Sequence, residues 1–529
     1  YAAAGAGARP RRRAAQLQKM DQKSEEEAQY FWACVRRTQN ARSDRVGDEK
    51  ASASAIFGAQ TTAGIKFDQY SKIPVKRSGG APGTTACPNL DDFQNLPVDV
   101  PNGVPGFVAA NLTRPDRMKY RVPTPIQKHT IPLGLAGCDV MACAQTGSGK
   151  TVAFLIPIIA SACKSSGPTP GAVAPQPRET PCRPRAIVLA PTRELAIQIE
   201  QECTKLTFGA PPPKQAGVSG AQPRWCCCAY GGASARSQLE QLAGGVCVIV
   251  ATPGRLVDFL GRRLVSLREC RVLVLDEADR MLDMGFKPQL QRIVLQSNLQ
   301  PVSNRQTLMF SATFAPNVQE VAREYLKPRF AKVEVGRVGS SVASIKQALL
   351  LAPRGDKRTK FELLVNLFAA EGDNAAAGQH RTMVFVQKKH TASWIKRELQ
   401  KQGHRCEDIH GDRTQPQREA ALGRFRGGSV DILVCTDVAA RGLDVPDVSH
   451  VVQLDLPHSR EEFDSYVHRI GRTGRAGRTG RATAFFVPGS EPKLGNQVLY
   501  VELLRHFEEN KQDVPEWFRQ LGRPGGSRT

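Results

Sequence analysis

The 529 residues contain no apolar run long enough to cross a bilayer, which excludes a helical membrane span. Metal and redox spacings are missing too. Of fourteen cysteines, no two stand as C-x-x-C, and no Cys/His set carries zinc spacing. Several lie in apolar, strand-like runs (Cys143, Cys247, Cys435), where the thiol acts as a small hydrophobe. Cys226, Cys227 and Cys228 are adjacent, so on a strand they alternate faces and cannot converge on one metal. This usage argues against a disulfide framework and for a reducing compartment. Acid is scarce as well: 50 Asp and Glu against 73 Lys and Arg, a net charge of +23. That balance favours a polyanionic partner, nucleic acid before acidic membrane. The competing reading is a basic composition without functional meaning. An initiating Met is absent, and Tyr1 points to a fragment or a processed chain. "AAAGAGARPRRRAAQ" has the Ala and Arg of a transit peptide, but "SEEEAQ" follows, and such peptides are poor in acids. A disordered basic arm is expected there.

What is present divides the chain. A length of 529 residues exceeds one ordinary core. Residues 1–95 read as a mostly disordered extension, with few apolar clusters. From 96 to 335, short β-rich runs ("DVMAC", "AIVLA", "GVCVIVA", "RVLVLD", "QTLMF") alternate with helical patterns. That alternation predicts βα units on a parallel sheet. Residues 336–344 read as a linker, and 345–490 resume the pattern with "TMVFVQ", "DILVCTD", "VSHVVQLD" and "RATAFFV". A helical stretch and a Gly/Arg tail fill 491–529. The Pro/Gly-rich segments 165–185 and 209–224 read as surface loops.

Two stretches carry chemistry. "MACAQTGSGKT" ends a strand and opens a helix, and it approximates G-x-x-x-x-G-K-[ST] with Ala144 in the first glycine position. Small residues let the N–H groups of Gln145, Thr146, Gly147, Ser148 and Gly149 close around phosphates at a helix N-terminus. Lys150 would neutralise the β- and γ-phosphates, and Thr151 would ligate Mg²⁺. The second stretch is "VLVLDEADRMLDMGF", residues 272–286, where four apolar residues run into Asp276, Glu277 and Asp279. One reading is a strand that surfaces into solvated acids. The other is a cation held by Asp276 and a water oriented by Glu277, the partner a P-loop needs.

Residues 276–279 spell DEAD, and the chain from about 115 to 490 resembles the DEAD-box RNA helicases. "VPTPIQ" (122–127) resembles the Q motif, whose Gln127 would read adenine, with Tyr120 among the nucleotide contacts. "PTREL" (191–195), Gly231-Gly232 and "TPGR" (252–255) resemble the RNA-backbone motifs. Ser311-Ala312-Thr313 matches the SAT motif, "MVFVQ" (383–387) motif IV, and Gln415 with Arg418 the Q-x-x-R element. "TDVAARGLD" (436–444) and "HRIGRTGR" (468–475) resemble motifs V and VI. Each string is short; their common order along the chain carries the resemblance.

The resemblance implies two RecA-like α/β domains that bind ATP and Mg²⁺ in the cleft and single-stranded RNA across both. It implies Arg472 and Arg475 as arginine fingers, Asp444 at the ribose, and His468, Asp279, Ser311 and Thr313 as couplers of hydrolysis to strand opening. It implies RNA contacts at Thr192, Arg193, Gly232, Thr252, Gly254, Arg255, Arg418 and Thr436. For His468 a merely structural role competes. "LVLDEADRMLDMGF", "RQTLMFSATF", "VGRVGS" and "DVPEWFRQL" resemble the Vasa-like branch, whose members act in translation initiation, mRNP remodelling and germ-line RNA control. A monomer of the cytoplasm, shuttling to the nucleus and engaging translation or mRNP proteins, is expected. So is RNA-dependent ATP hydrolysis that opens short duplexes; the alternative is an ATP-gated RNA clamp with little unwinding. Two features depart from the family. The aromatic expected to stack on adenine has a candidate in Phe107, closer to Gln127 than the pattern asks. The 209–224 loop interrupts the run before Gly231-Gly232.

Overall fold

In the computed structural model the described residues are 22–37, 53–57, 73–80, 87–144, 147–164, 181–213, 223–232, 234–336, 345–370, 381–437, 445, 448–460, 462–474, 479–489, 491 and 495–522. The first unit holds β1 (Val75–Gly79), β2 (Val140–Cys143), β3 (Ala186–Leu189), β4 (Arg224–Ala229), β5 (Val246–Ala251), β6 (Val272–Leu275), β7 (Gln306–Ser311) and β8 (Ala331–Val335). They form one sheet in the order β1-β8-β2-β7-β6-β3-β5-β4. All neighbours run parallel except β1, which pairs antiparallel with β8. The inner strands are continuous apolar runs because helices cover both faces. Alternation sorts their side chains: Val188, Val250 and Val274 join one core, and Ile187, Ile249 and Leu273 the other. The cysteine triplet obeys the same rule, with Cys227 in one core and Cys226 and Cys228 on the opposite face.

Elements upstream of residue 96 belong to this unit. β1 closes its edge, and Phe57 packs edge-on against Phe208 at 5.4 Å. Residues 22–37 form a helix whose Phe31, Cys34 and Val35 enter the core. The spacing of these three is helical, but so few apolar residues between acidic and basic runs gave the stretch little weight in the sequence.

The second unit holds β9 (Ile345–Leu351), β10 (Arg381–Phe385), β11 (Cys406–Ile409), β12 (Ile432–Cys435), β13 (Val448–Gln453) and β14 (Gly480–Phe486). Its order is β11-β12-β10-β13-β14-β9, all parallel. Helices Tyr500–Glu509 and Glu516–Gln520 pack on it through Leu503, Phe507 and Phe518. Most of the linker, residues 337–344, lies outside the described residues, as do 165–180 and 214–222 of the two Pro/Gly-rich loops. Among the described residues no helix is long and apolar enough to cross a membrane.

Candidate active site and RNA interface

Sheet order sorts the motifs by chemistry. The P-loop follows β2, the SAT triplet ends and follows β7, and the DEAD residues follow β6; these three strands are neighbours. The loops carrying Thr192 and Arg193, Thr252 to Arg255, and Gly232 follow β3, β5 and β4, the next three. All lie at the carboxyl edge of a parallel sheet, where such folds bind ligands.

The helix Lys150–Lys164 starts at the P-loop, with Gly147 and Gly149 at positive φ, +79° and +89°. A Cβ on Gly149 would lie 2.5 Å from Gln127 Nε2, so the loop closes only on glycine there. Gln127 is 3% exposed. Its Oε1 accepts from the Thr124 N–H at 2.9 Å, and its Nε2 donates to Gly149 O at 3.1 Å. Thr124 Oγ1 donates to Ser148 O at 2.7 Å. The Q motif is thus tied directly to the phosphate loop. Gln127 keeps one N–H and one lone pair for a base. Lys150 is buried, and its Nζ donates to Ala144 O at 2.8 Å.

The aromatic candidates separate. Phe107 packs against Trp225 at the start of edge strand β4, 5.6 Å between centroids, away from the P-loop strand β2. Tyr120 lies beside Phe93 at 5.8 Å, and the Phe93 N–H donates to Arg121 O just ahead of the Q motif. Phe107 thus sits at the sheet edge, while Tyr120 stays beside the Q motif.

The acids after β6 are not solvated. Asp276, Glu277 and Asp279 are 2%, 3% and 4% exposed, so the surfacing-strand reading fails. Burial pushes the Asp276 carboxyl up to about 7; Lys150 opposes the shift, and Glu277 and Asp279 add to it. Glu277 adopts φ +51°, ψ +52°, a left-handed conformation that costs a non-glycine residue about 1–2 kcal/mol. This kink turns the chain directly from strand into the helix Ala278–Asp283. A buried carboxylate that strains toward its neutral form is a site in want of a cation. Among the described residues no cluster of three or more His, Cys, Asp or Glu forms a metal cage. Mg²⁺ held by one carboxylate, one hydroxyl and substrate phosphates needs none, so Asp276 and Thr151 fit it.

Asp279 does other work. Its Oδ2 accepts from the Ala312 and Thr313 N–H groups at 3.1 and 3.0 Å, fastening the SAT backbone to the DEAD helix. Ser311 Oγ and Thr313 Oγ1 are buried and make no hydrogen bond among the described residues. From the second unit, His468 Nδ1 accepts from Arg280 Nε at 2.9 Å, and its Nε2 lies 3.8 Å from Asp279 Oδ2. Arg280 also pairs with Glu277 Oε2 at 3.5 Å. His468 therefore reaches the DEAD helix from the second domain. Arg280, unmarked in the sequence reading, is the link to Glu277; a buried arginine beside two acids is its signal.

His468 sits on the helix Phe463–Ile470. Arg472, 3% exposed, follows, with Nε donating to His468 O at 3.3 Å. Arg469 turns the other way. It pairs with Asp437 at 2.5 Å and donates to Asp455 O, locking motif VI to the end of β12. Gln145, Thr146, Asp444 and Arg475 lie outside the described residues.

On the RNA side, Thr192 and Thr252 precede the helices Arg193–Leu206 and Pro253–Gly261, and Thr192 Oγ1 accepts from Leu195 N–H at 3.3 Å. The Arg193 guanidinium lies over Gly232, at φ +81°, where a Cβ would meet Nη1 at 2.2 Å. Gly254 faces open space. Arg255 Nε donates to Tyr230 O at 3.2 Å, joining two of the loops. Arg418 pairs with Glu194 at 2.7 Å across the domains, so here it closes the interface rather than standing open to RNA. Thr436 is buried at the end of β12.

Comparison with known proteins agrees with this geometry. Residues 124–321 match the DEAD/DEAH box helicase family, and 359–477 the helicase conserved C-terminal domain. The chain is 45% identical over 427 residues to the DEAD-box ATP-dependent RNA helicase 52A of Oryza sativa subsp. japonica, covering 79% of this chain and 67% of that one. It resembles S. cerevisiae Dbp5 bound to RNA and ADP BeF3, with TM-score 0.59 and 28% identity over 78% of this chain and 93% of that one. A point variant of Dbp5 bound to a Gle1 variant and IP6 gives 0.54 and 27% over 80% and 93%. With ATP motifs on three neighbouring strands, RNA motifs on the next three and a second domain reaching the DEAD helix, the chain belongs to the DEAD-box family of ATP-dependent RNA helicases.

Proposed function

We propose that the chain hydrolyses ATP in an RNA-dependent way to open short RNA duplexes or remodel RNA–protein complexes, in translation initiation or mRNA metabolism. The observation that carries this reading is His468, which meets Arg280 and Asp279 from the opposite domain. Arg280 pairs with Glu277, and Asp279 holds the SAT backbone. Hydrolysis and domain closure are then one event. Lys150 and the P-loop amides bind the phosphates, and Tyr120 and Gln127 the base. Thr151 and Asp276 would hold Mg²⁺, which supplies charge neutralisation on the phosphates. Glu277 orients the attacking water, and Arg472 brings positive charge from the second domain. RNA bridging both domains favours closure by binding the closed form more tightly. The contacts on the RNA loops are to backbone, which positions a strand without reading sequence.

The Vasa-like motifs support a monomer that acts on mRNA in the cytoplasm, shuttles to the nucleus, and meets translation or mRNP proteins there. The test is the steady-state ATPase rate without nucleic acid, with single-stranded RNA and with single-stranded DNA, for the wild type and Glu277→Gln, alongside separation of a short RNA duplex. RNA-specific stimulation, lost in the variant, with duplex separation, is the expected result. Equal stimulation by DNA refutes the RNA reading. Stimulation without separation leaves the ATP-gated clamp.

A further inference from the structure

We propose that the helix over residues 22–37 is an intramolecular clamp that positions the RNA-contacting loops of the first domain. It rests on the assignment of those loops to RNA and adds the element that holds them. The helix docks with Phe31 fully buried and Cys34 and Val35 nearly so, on one face at helical spacing. Two polar pins fix where it lies. Glu27 pairs with Arg262 at 3.0 Å, and Tyr30 Oη donates to Glu240, with Arg236 over the Tyr30 ring at 5.3 Å. Arg236 and Glu240 belong to the helix Ala235–Ala243, and Arg262 caps the helix Pro253–Gly261. These are the two helices that follow the Gly231-Gly232 and Thr252–Arg255 loops. The clamp therefore joins the first turns of one helix to the C-terminal end of the other, and both helices start at the loops in question.

The two loops are joined directly as well, and the contacts form a circuit. Arg262 Nη2 bonds Asp258 at 2.7 Å, and the same carboxylate oxygen lies 3.5 Å from Arg255 Nη1. Arg255 Nε donates to Tyr230 O, which Gln238 Nε2 also reaches at 3.1 Å. Gln238 is on the helix that carries Glu240, which returns the chain of contacts to Tyr30. Both Arg255 and Arg262 stand 5.4 Å from the Phe259 ring, so the two guanidinium groups share one aromatic neighbour. Glu27, Tyr30 and Phe31 are positioning residues; none of them is proposed to touch RNA.

The test is RNA-stimulated ATPase of the full chain across a range of single-stranded RNA concentration, with hydrogen exchange of residues 22–37 read in parallel. Phe31→Asp undocks the helix; Glu27→Gln with Tyr30→Phe cuts both pins and spares the apolar face; Phe31→Leu is the conservative control. Undocking is expected to raise the half-saturating RNA concentration about three- to tenfold, the scale of indirect couplings. The rate at saturating RNA and the KM for ATP should hold. The pin variant falls between, and Phe31→Leu restores the wild-type value. A freely exchanging helix with unchanged RNA half-saturation overturns the clamp. So does a parallel loss of rate and ATP affinity, which marks plain destabilisation. If Phe31→Asp does not fold, the pin variant decides. Arg255→Ala separates the two readings: if it alone weakens RNA binding, only the clamp is lost, and if it too is silent, the RNA assignment of the loop falls with it.

Discussion

Replacing His468 by Ala tests the coupling between the domains. His468 Nδ1 accepts from Arg280, so its proton sits on Nε2, facing Asp279. The side chains of His468, Asp279 and Arg280 are 7%, 5% and 5% exposed, so water does not replace the lost partner cheaply. A hydrogen bond to a charged group is worth about 1.5–3 kcal/mol. At 1.4 kcal/mol per decade, the assembled closed state falls about 10- to 100-fold. The RNA-stimulated ATPase rate should drop by that factor, measured by phosphate release at saturating RNA. The affinity for a fluorescent ATP analogue should hold, because Gln127, Lys150 and the phosphate loop all lie in the first domain. Arg418–Glu194 survives the substitution, so residual RNA-dependent closure remains. His468→Gln, which can accept from Arg280 and donate toward Asp279, should recover part of the rate. A rate for His468→Ala within about twofold of the wild type would refute the reasoning, since a loss of 1.5 kcal/mol exceeds that factor.

Lys150→Ala should weaken nucleotide binding itself, measured by equilibrium titration, because it deletes the buried ammonium beside the phosphate loop; unchanged affinity would dismiss the P-loop. Gly232→Ala forces a Cβ into the Arg193 guanidinium at a left-handed position, a backbone cost of about 1–2 kcal/mol. RNA affinity should fall with ATP affinity intact, whereas Gly254→Ala, in open space, should leave thermal stability unchanged. His506 is held by burial among Phe463, Tyr466 and Phe507 at a pKa of about 4, below its ordinary 6.5. Unfolding then takes up a proton, so the stabilisation is full above about pH 6.5 and is lost as pH falls toward 4. His506→Phe should flatten melting temperature against pH across that window; an equally steep profile in the variant would show that another group titrates.

How far the sequence reached is clearest in particular residues. The inner strands were legible because burial on both faces leaves no polar position, and "AIVLA" or "RVLVLD" admit few other conformations. The P-loop and the acids after β6 were legible because phosphate chemistry restricts residue type and spacing together. The helix 22–37 was not, since Phe31, Cys34 and Val35 gain weight only from the surface they meet. Phe107 was a reasonable adenine partner by type, and only packing sent it to Trp225. Arg418 and Arg280 carry no local mark of an interface role, because their partners, Glu194 and His468, are remote in sequence.

By itself the sequence determined which chemistry is present: a phosphate loop, an acidic strand end, backbone-binding loops and a second set of arginines. Its order interleaves them, with the RNA motifs standing between the P-loop and the DEAD residues along the chain. The tertiary structure decided their grouping. Crossover connections let β6 and β7 insert between β3 and β2, so strands distant in sequence become neighbours and hydrolysis is set beside RNA binding at one sheet edge. Residue type follows from local chemistry, but adjacency follows from strand pairing, and that is settled only when the whole sheet buries its two faces.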